Sequence, residues 1–243
     1  MSERADLRTR LCRLRYHARA VASAHPSVYL PFARRKYGSD GVVSPETEVV
    51  IEGFQRSGNT FAVIGFELAQ DRPVRIAHHL HAAAQVAAAA RMGIPTLVLI
   101  REPEEAAISH MLREPCITGK QALSSWIRFY DGVLPHRDRF VVGEFGAVTA
   151  DLGAVIRRIN ERFGTAFVEF EHTETNVDRC FELIDRRNRE RYGTIVQSHV
   201  ARPSAERERL KAAVRDAVCS DAVASLRARA WRRYRALTGA SGA

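Results

Sequence analysis

A continuous apolar run at residues 95–100 (PTLVLI) constrains the fold of this chain more than any other feature. A strand that is hydrophobic at every position has no polar face, so it belongs inside a sheet covered on both sides. Parallel sheets with helices on both faces meet that need. A second short buried strand is predicted at residues 48–54 (EVVIEGF). Because such strands alternate with helical patterns, the sequence predicts an α/β fold with a mostly parallel central sheet flanked by helices.

The remaining elements are predicted from periodicity, helix propensity and the positions of glycine and proline. Residues 6–23 predict an amphipathic helix, and a loop rich in turn formers is predicted from His25 to Pro45. Further strands are predicted at residues 75–78, 139–145 and 166–170, and further helices at residues 59–70, 82–92, from 103 onward, from 120 to 134, 151–163, 176–191, 203–219 and 221–237. No linker is evident, so we expect one domain over residues 1–243, with a core at about 46–203 and helical ends at 1–36 and 203–243.

Composition excludes several classes of protein. With 46% hydrophobic residues the chain can form a substantial core, and no apolar stretch approaches the ~20 residues of a membrane helix. The N-terminus has no apolar segment of the kind that marks a signal peptide. The four cysteines are scattered, which predicts neither a disulfide framework nor a zinc site and favours a reducing cytoplasm; they are Cys12, Cys116, Cys180 and Cys219.

The basic residues are concentrated at the two ends of the chain. The net charge is +9, and 34 of the 37 basic residues are arginines. Arginine favours phosphate-like anions, because its guanidinium presents a planar fork of donors. A compositional bias toward arginine, with most of these side chains on solvated helix faces, is the plainer explanation for the majority of them.

Residues 53–60 (GFQRSGNT) lie between a predicted strand and a predicted helix. Backbone N–H groups and a helix N-terminus can bind an anion at such a junction. The spacing matches the nucleotide loop G-x-x-x-x-G-K-[ST], except that Asn59 stands in place of the lysine. Since that lysine contacts the β- and γ-phosphates, the change argues against ATP or GTP hydrolysis, and the cation of this loop is Arg56. An ordinary strand-to-helix turn is the alternative interpretation.

The residue after the central strand is Arg101, where a nucleotide hydrolase would have an aspartate for Mg²⁺. Ligands of open α/β sheets bind beyond the carboxyl ends of the strands, so this arginine is well placed for a phosphate group held without metal. Ser109 follows about two helical turns later and can face the same anion.

Three segments together resemble the sulfotransferase family that uses 3′-phosphoadenosine-5′-phosphosulfate (PAPS), in its soluble bacterial type. Residues 55–61 (QRSGNTF) are similar to its P-K-S-G-T-T-W loop, and residues 101–109 (REPEEAAIS) are similar to R-N-P-x-D-x-x-x-S. Between them, residues 77–80 (AHHL) resemble its K-T-H-L segment. The order, the strand context and the Arg-to-Ser spacing agree over about residues 46–203. Arg56, Asn59 and Phe61 stand where the family has Lys, Thr and Trp.

The resemblance implies a P-loop-like fold and sulfuryl transfer from PAPS to a hydroxyl or amine, without a metal. The acceptor stays open among small molecules, glycans and lipids. His79 would be the general base, with His81 as the second choice, and Arg56 would stabilise the leaving diphosphate. The implied cofactor-binding residues are Arg56, Ser57, Gly58, Asn59, Thr60, Phe61, Arg101, Ser109 and Arg202. Arg202 is assigned on position alone, and a helix N-terminus explains it equally well.

Two other classes of function stay open. A small-molecule kinase would use the same kind of loop with ATP and Mg²⁺, and Asn59 argues against it. A basic nucleic-acid-binding module would suit the charged ends, where residues 231–235 (WRRYR) interleave aromatic and basic side chains. The same ends could contact an anionic membrane surface as amphipathic helices. The histidines at positions 78, 79 and 81 have no neighbouring Cys or carboxylate at ligand spacing, so we expect no metal there.

Overall fold

The structure is a computed structural model that describes residues 2–194 and 205–239. Four strands form one sheet in which every neighbouring pair is parallel. They are β1 (Val49–Gly53), β2 (Ile76–His78), β3 (Thr96–Ile100) and β4 (Val141–Glu144), in the order β2–β1–β3–β4. The predicted α/β fold is confirmed, and it is compatible with a P-loop-like architecture.

Eleven α-helices surround this sheet in the part of the chain that the structure describes. They are α1 (Ser2–Ala22), α2 (Pro26–Tyr37), α3 (Asn59–Ala69), α4 (Ala83–Met92), α5 (Pro103–Arg113), α6 (Gly119–Val133), α7 (Phe145–Ala150), α8 (Leu152–Phe163), α9 (Glu174–Tyr192), α10 (Ala205–Cys219) and α11 (Ala224–Thr238). Two 3₁₀ segments, Leu134–Arg139 and Asp221–Val223, precede β4 and α11. No helix in the described ranges is both long enough and apolar enough to cross a membrane.

Alternate side chains of the central strands enter the two layers of the core, because successive side chains of a strand point to opposite faces. Ile51 and Leu99 pack with α3, α8 and α9 on one face of the sheet. Val98 and Ile100 pack with α4, α6 and α11 on the other face. Both β1 and β3 are buried along their whole length. This burial was predicted for β3 from the apolar run at residues 95–100 and for β1 from residues 48–54.

The strand order places a crevice between β1 and β3, at the carboxyl ends of the strands. The chain passes from β1 to β2 on one side and then crosses to β3 on the other side of β1. In open α/β sheets ligands bind where the order reverses in this way, beyond the carboxyl ends of the strands. The loop that follows β1 and Arg101, which follows β3, therefore lie at the expected position for a ligand.

Two predicted elements are wrong. The loop predicted from His25 to Pro45 contains α2, whose residues Tyr29, Leu30 and Ala33 are buried. Pro26 begins this helix, a position where proline is favourable because its missing N–H would have no helical partner anyway. The strand predicted at residues 166–170 forms no ladder. Instead, Asn160 hydrogen-bonds to both backbone groups of Phe167.

A disulfide joins Cys12 of α1 to Cys116, which lies between α5 and α6. The sequence predicted no disulfide, because the two residues are 104 positions apart and nothing in their spacing indicates a pair. The inference of a reducing cytoplasm rested on that expectation, and it loses this support. Cys180 and Cys219 are free thiols.

Candidate active site

The loop that follows β1 is shaped by two residues with left-handed backbone conformations. Arg56 has φ +69° and Gly58 has φ +90°, and Gly58 is the N-cap of α3. A Cβ at Gly58 would lie 3.3 Å from the Phe145 ring, so this position favours glycine for space as well as for its dihedral angle. The Asn59 side chain donates from Nδ2 to the carbonyl oxygen of Phe54 at 3.0 Å. Asn59 therefore closes the loop from inside, where a nucleotide-loop lysine would extend outward.

Residues 101–109, the segment that follows β3, contact this loop. Arg56 Nε donates to Ser109 Oγ at 3.0 Å, and Arg101 Nη1 donates to the Arg56 carbonyl oxygen at 3.4 Å. The Arg101 guanidinium also lies over the Phe145 ring, 4.1 Å from its centroid. The chain separates Arg56 from Ser109 by 53 positions, so the fold itself brings the two together.

Arg101 is mostly buried, and it shares its nearest carboxylate with other cations. Burial lowers the pKa of its guanidinium, although arginine stays charged at neutral pH. Its carboxylate neighbour Glu105, at 3.3 Å, is shared with Lys211 and Arg215, each at 3.2 Å. The buried Nε of Arg101 has no hydrogen-bond partner among the described residues. An anion bound at this point would supply the missing acceptor.

The histidine segment, residues 78–81, begins at the last residue of β2 and lies against the same loop. His79 Nε2 is 3.2 Å from Thr60 Oγ1, in the first turn of α3. On the other side of its ring, His79 Nδ1 is 2.6 Å from His78 Nδ1. One of these two nitrogens must carry the shared proton. Burial lowers the pKa of His78, which favours its neutral form.

Glu52, which none of the sequence motifs includes, holds the histidine segment in place. It is fully buried in β1, and its carboxylate accepts hydrogen bonds from the backbone N–H groups of Gly53, Leu80 and His81 and from the Gln85 side chain. Burial raises the pKa of Glu52 to about 8, while its four donors act in the opposite direction. An acidic residue inside an otherwise apolar strand was the available signal, since a buried carboxylate needs dedicated donors.

His81 belongs to the same framework. Its Nδ1 donates to the Gly53 carbonyl oxygen at 2.9 Å, which links the histidine segment to the start of the loop. Burial lowers the pKa of His81 to about 4, so the ring is neutral at pH 7. Because a base with so low a pKa binds a proton weakly at neutral pH, His81 is less suited than His79 to take a proton from a ligand.

A single cleft of about 1470 Å³ joins these groups. The loop after β1, the histidine segment and Arg101 all line it, and α1 forms the opposite wall. Among the described residues that line it, nine are Arg or Lys, whereas three are Asp or Glu. This excess of cations, which α1, α5 and α6 largely supply, was not predicted because it depends on where the helices pack.

The other predicted cofactor residues have different surroundings. The Ser57 and Asn59 side chains are buried within the loop, so they are not exposed to a ligand in the cleft. The Phe61 ring is 4% exposed and packs among Phe170, Phe181 and His172, the environment of a core side chain. Its contact with a nucleotide base stays a prediction. Arg202 lies outside the described residues.

No metal site is evident in the described ranges, where no three His, Cys, Asp or Glu side chains are grouped as ligands. The expectation that the reaction needs no metal stays a prediction. In the comparisons with known proteins, no protein-family model matches this chain. No curated protein matches it at a significant level either. Function must therefore be argued from the site itself.

Proposed function

We propose that this protein is a sulfotransferase that moves a sulfuryl group from PAPS to a hydroxyl or amine of an acceptor. The observation that carries the proposal is the convergence at one sheet edge of three segments that the sequence separates widely. The 3.0 Å contact from Arg56 to Ser109 joins the loop to the third segment. The 3.2 Å contact from His79 to Thr60 joins the loop to the histidine segment.

The residues present fit the phosphate groups of such a nucleotide. The N-terminus of α3 offers backbone N–H groups beside Gly58, and helix N-termini favour bound anions. Arg101 contributes a buried charge with an unpartnered Nε, at the carboxyl end of β3. Under this proposal the loop binds the 5′ side of the nucleotide, and Arg101 and Ser109 bind its 3′-phosphate.

PAPS would supply an activated sulfuryl group on a diphosphate-like leaving group. The task of the protein is then to hold the reactants in line and to stabilise charge on the departing oxygen. Arg56 provides that positive charge from within the loop, and the N-terminal end of α3 adds its dipole. The left-handed backbone of Arg56 turns its carbonyl oxygen toward Arg101, which fixes the position of the loop cation.

His79 takes the proton of the acceptor in this proposal. In the arrangement suited to catalysis, its Nδ1 donates to His78 and its Nε2 keeps a lone pair. His78 can accept that hydrogen bond because burial keeps it neutral. Thr60 then donates to Nε2 until an acceptor hydroxyl replaces it. His78 is a positioning residue, since it acts only through the ring of His79.

The alternatives find less support among the described residues. A kinase loop would direct a cationic side chain from position 59 toward the β- and γ-phosphates, whereas Asn59 is turned inward to Phe54. A nucleic-acid-binding surface on α11 would expose its aromatic rings. Instead, Tyr234 is buried and donates to Glu144, and Trp231 donates to Glu104.

Ligand-induced stabilisation tests the proposal. The desulfated product, adenosine 3′,5′-bisphosphate (PAP), should raise the melting temperature, while ATP with Mg²⁺ should not. A ligand at a hundred times its dissociation constant adds about 2.7 kcal/mol of stability, which a thermal scan detects easily. Adenosine 5′-monophosphate is the matched control, because it lacks the 3′-phosphate. A shift with ATP and none with PAP would refute the sulfotransferase proposal.

A further inference from the structure

A second group of arginines, from helices rather than from the nucleotide loop, lines the same cleft. Arg15 and Arg19 lie on the face of α1 that covers the cleft, Arg113 ends α5, and Arg128 lies on α6. These four residues come from three helices. The nucleotide proposed above uses Arg56 and Arg101, so it leaves this second group without an assigned anion.

The group is adjacent to the histidine segment. Arg19 Nη2 lies 3.5 Å from the carbonyl oxygen of Leu80, the residue between His79 and His81. Tyr16, also on α1, pairs with His110 of α5, with 3.1 Å between Tyr16 Oη and His110 Nε2. The arginines of α1 therefore begin beside the proposed base and continue along the wall of the cleft.

The electrostatics of two buried histidines show that Arg19 and Arg113, like the loop cation Arg56, lie close enough to act on the same groups. Burial lowers the pKa of His81 to about 4 and that of His110 to about 3. Arg19, Arg113 and Arg56 add to both effects through their positive charge. Three arginines from separate parts of the chain thus act on the same two imidazoles.

Compensation by acidic groups is sparse on this wall. Glu114, at the end of α5, is the one acidic residue that α1, α5, α6 and the adjoining loop contribute to the cleft lining in the described ranges. Arg15 is not paired with any carboxylate of the described residues. The buried Nε of Arg128 has no hydrogen-bond partner in the same part of the chain. An unpartnered buried donor beside several cations is a favourable place for an oxyanion.

We propose that the acceptor is itself an anion, whose carboxylate, sulfate or phosphate group binds Arg15, Arg19, Arg113 and Arg128. The inference rests on the proposed sulfotransferase activity, and it names the class of acceptor for that site. Under this proposal the acceptor presents its hydroxyl or amine to His79, the residue before the Leu80 whose carbonyl oxygen Arg19 contacts. The α1 wall is therefore the specificity-determining part of the cleft.

Calorimetric titration of the PAP-saturated protein tests this assignment. Inorganic pyrophosphate and citrate are the probes, since they separate phosphate-like from carboxylate chemistry once PAP occupies the nucleotide loop. At least one probe should bind, and Arg113→Gln should weaken that binding at least about tenfold, the loss expected for a charge-assisted hydrogen bond. Arg15→Gln, an exposed position, is a second variant that should fold normally and weaken the same probe.

The controls separate this inference from the proposed function. Arg91→Gln, at the exposed end of α4 and outside the cleft lining, should leave probe binding unchanged. Arg113→Gln should change PAP affinity by less than about twofold, and an equal loss for PAP and probe would overturn a separate acceptor site. Failure of both probes to bind the PAP-loaded protein would also overturn it. If PAP itself does not bind, the proposed function fails. The anion site is then tested on the unliganded protein, where binding of a probe that Arg113→Gln weakens supports it and absence of binding overturns it.

Discussion

Backbone strain in the described part of the chain is concentrated at three residues. Arg56, His79 and His81 are the non-glycine residues there with positive φ, and all three line the cleft. Such conformations cost about 1–3 kcal/mol each and persist only where surrounding contacts enforce them. Glu52 provides that enforcement at the histidine segment through its bonds to the N–H groups of Leu80 and His81. Strain at these residues therefore supports the proposal that the loop and the histidines form the functional site.

Replacement of His79 by alanine should separate catalysis from binding. PAP affinity should stay within a factor of about two, because the proposed role of the ring is on the acceptor side. Single-turnover transfer from labelled PAPS should fall by ~10²–10⁴-fold, the range of a positioned general base. Calorimetry with PAP checks binding, and a rapid-quench assay at saturating acceptor checks the rate.

His78→Ala and His81→Ala are the matched controls for that experiment. His78→Ala should slow transfer less than His79→Ala does, since it removes only the partner of Nδ1. His81→Ala should act mainly on stability, because its ring links Gly53 to the histidine segment. Normal transfer by His79→Ala together with a collapse in His81→Ala would assign the base to His81 instead.

At the scale of elements, α1 and its disulfide define one side of the cleft. Residues on one face of α1 line the cleft, and Cys12 ties this helix to the segment after α5. Arg13 Nε adds a hydrogen bond to the Cys116 carbonyl oxygen at 2.8 Å. Leu7 and Leu14 of α1 are exposed, so burial of apolar side chains contributes little free energy to the packing of this helix on the rest of the protein. The covalent link is therefore a major determinant of where this wall lies.

Reduction of the disulfide should destabilise the protein. Peptide mass spectrometry without reductant should find Cys12 joined to Cys116. Dithiothreitol should lower the free energy of unfolding by about 2–4 kcal/mol, the usual contribution of a native disulfide. Cys12→Ser should abolish this response to reductant, whereas Cys219→Ser, which removes a free thiol, should retain it. Recovery of both cysteines as free thiols from the non-reduced protein would contradict the link.

At the scale of the whole molecule, the sequence predicts the sheet well and the walls of the cleft poorly. The apolar run at β3 and the glycine-containing loop after β1 follow from local rules, so the sheet edge and its anion loop were predictable. The Cys12–Cys116 link and the arginine wall depend on long-range packing that no local pattern encodes, whereas Pro26 was a local signal for the start of the helix in residues 26–37. Glu52 lies between these cases, because its buried charge was visible in the sequence while its four donors were not.

The same contrast applies to the predicted site residues. Arg56, Arg101, Ser109 and His79 were chosen from short segments. Three of them line one cleft, whereas Ser109 is fully buried and contacts the Arg56 side chain from beneath the lining. Phe61 was chosen by position in a motif, yet its ring belongs to an aromatic cluster of the core. Motif spacing thus predicts which backbone segments lie at the cleft. The direction of each side chain depends instead on its neighbours in the folded protein.

The central claim is that Arg101 and Ser109 bind the 3′-phosphate of PAPS, and calorimetric titration of PAP into the wild type and two variants tests it most directly. PAP should bind with 1:1 stoichiometry. Arg101→Ala should weaken binding roughly 10- to 150-fold, and Ser109→Ala about 2- to 10-fold, because a charge-assisted contact exceeds a neutral hydroxyl bond. Circular dichroism should show both variants folded. Absence of PAP binding by the wild type, or unchanged affinity in a folded Arg101→Ala variant, would contradict the claim.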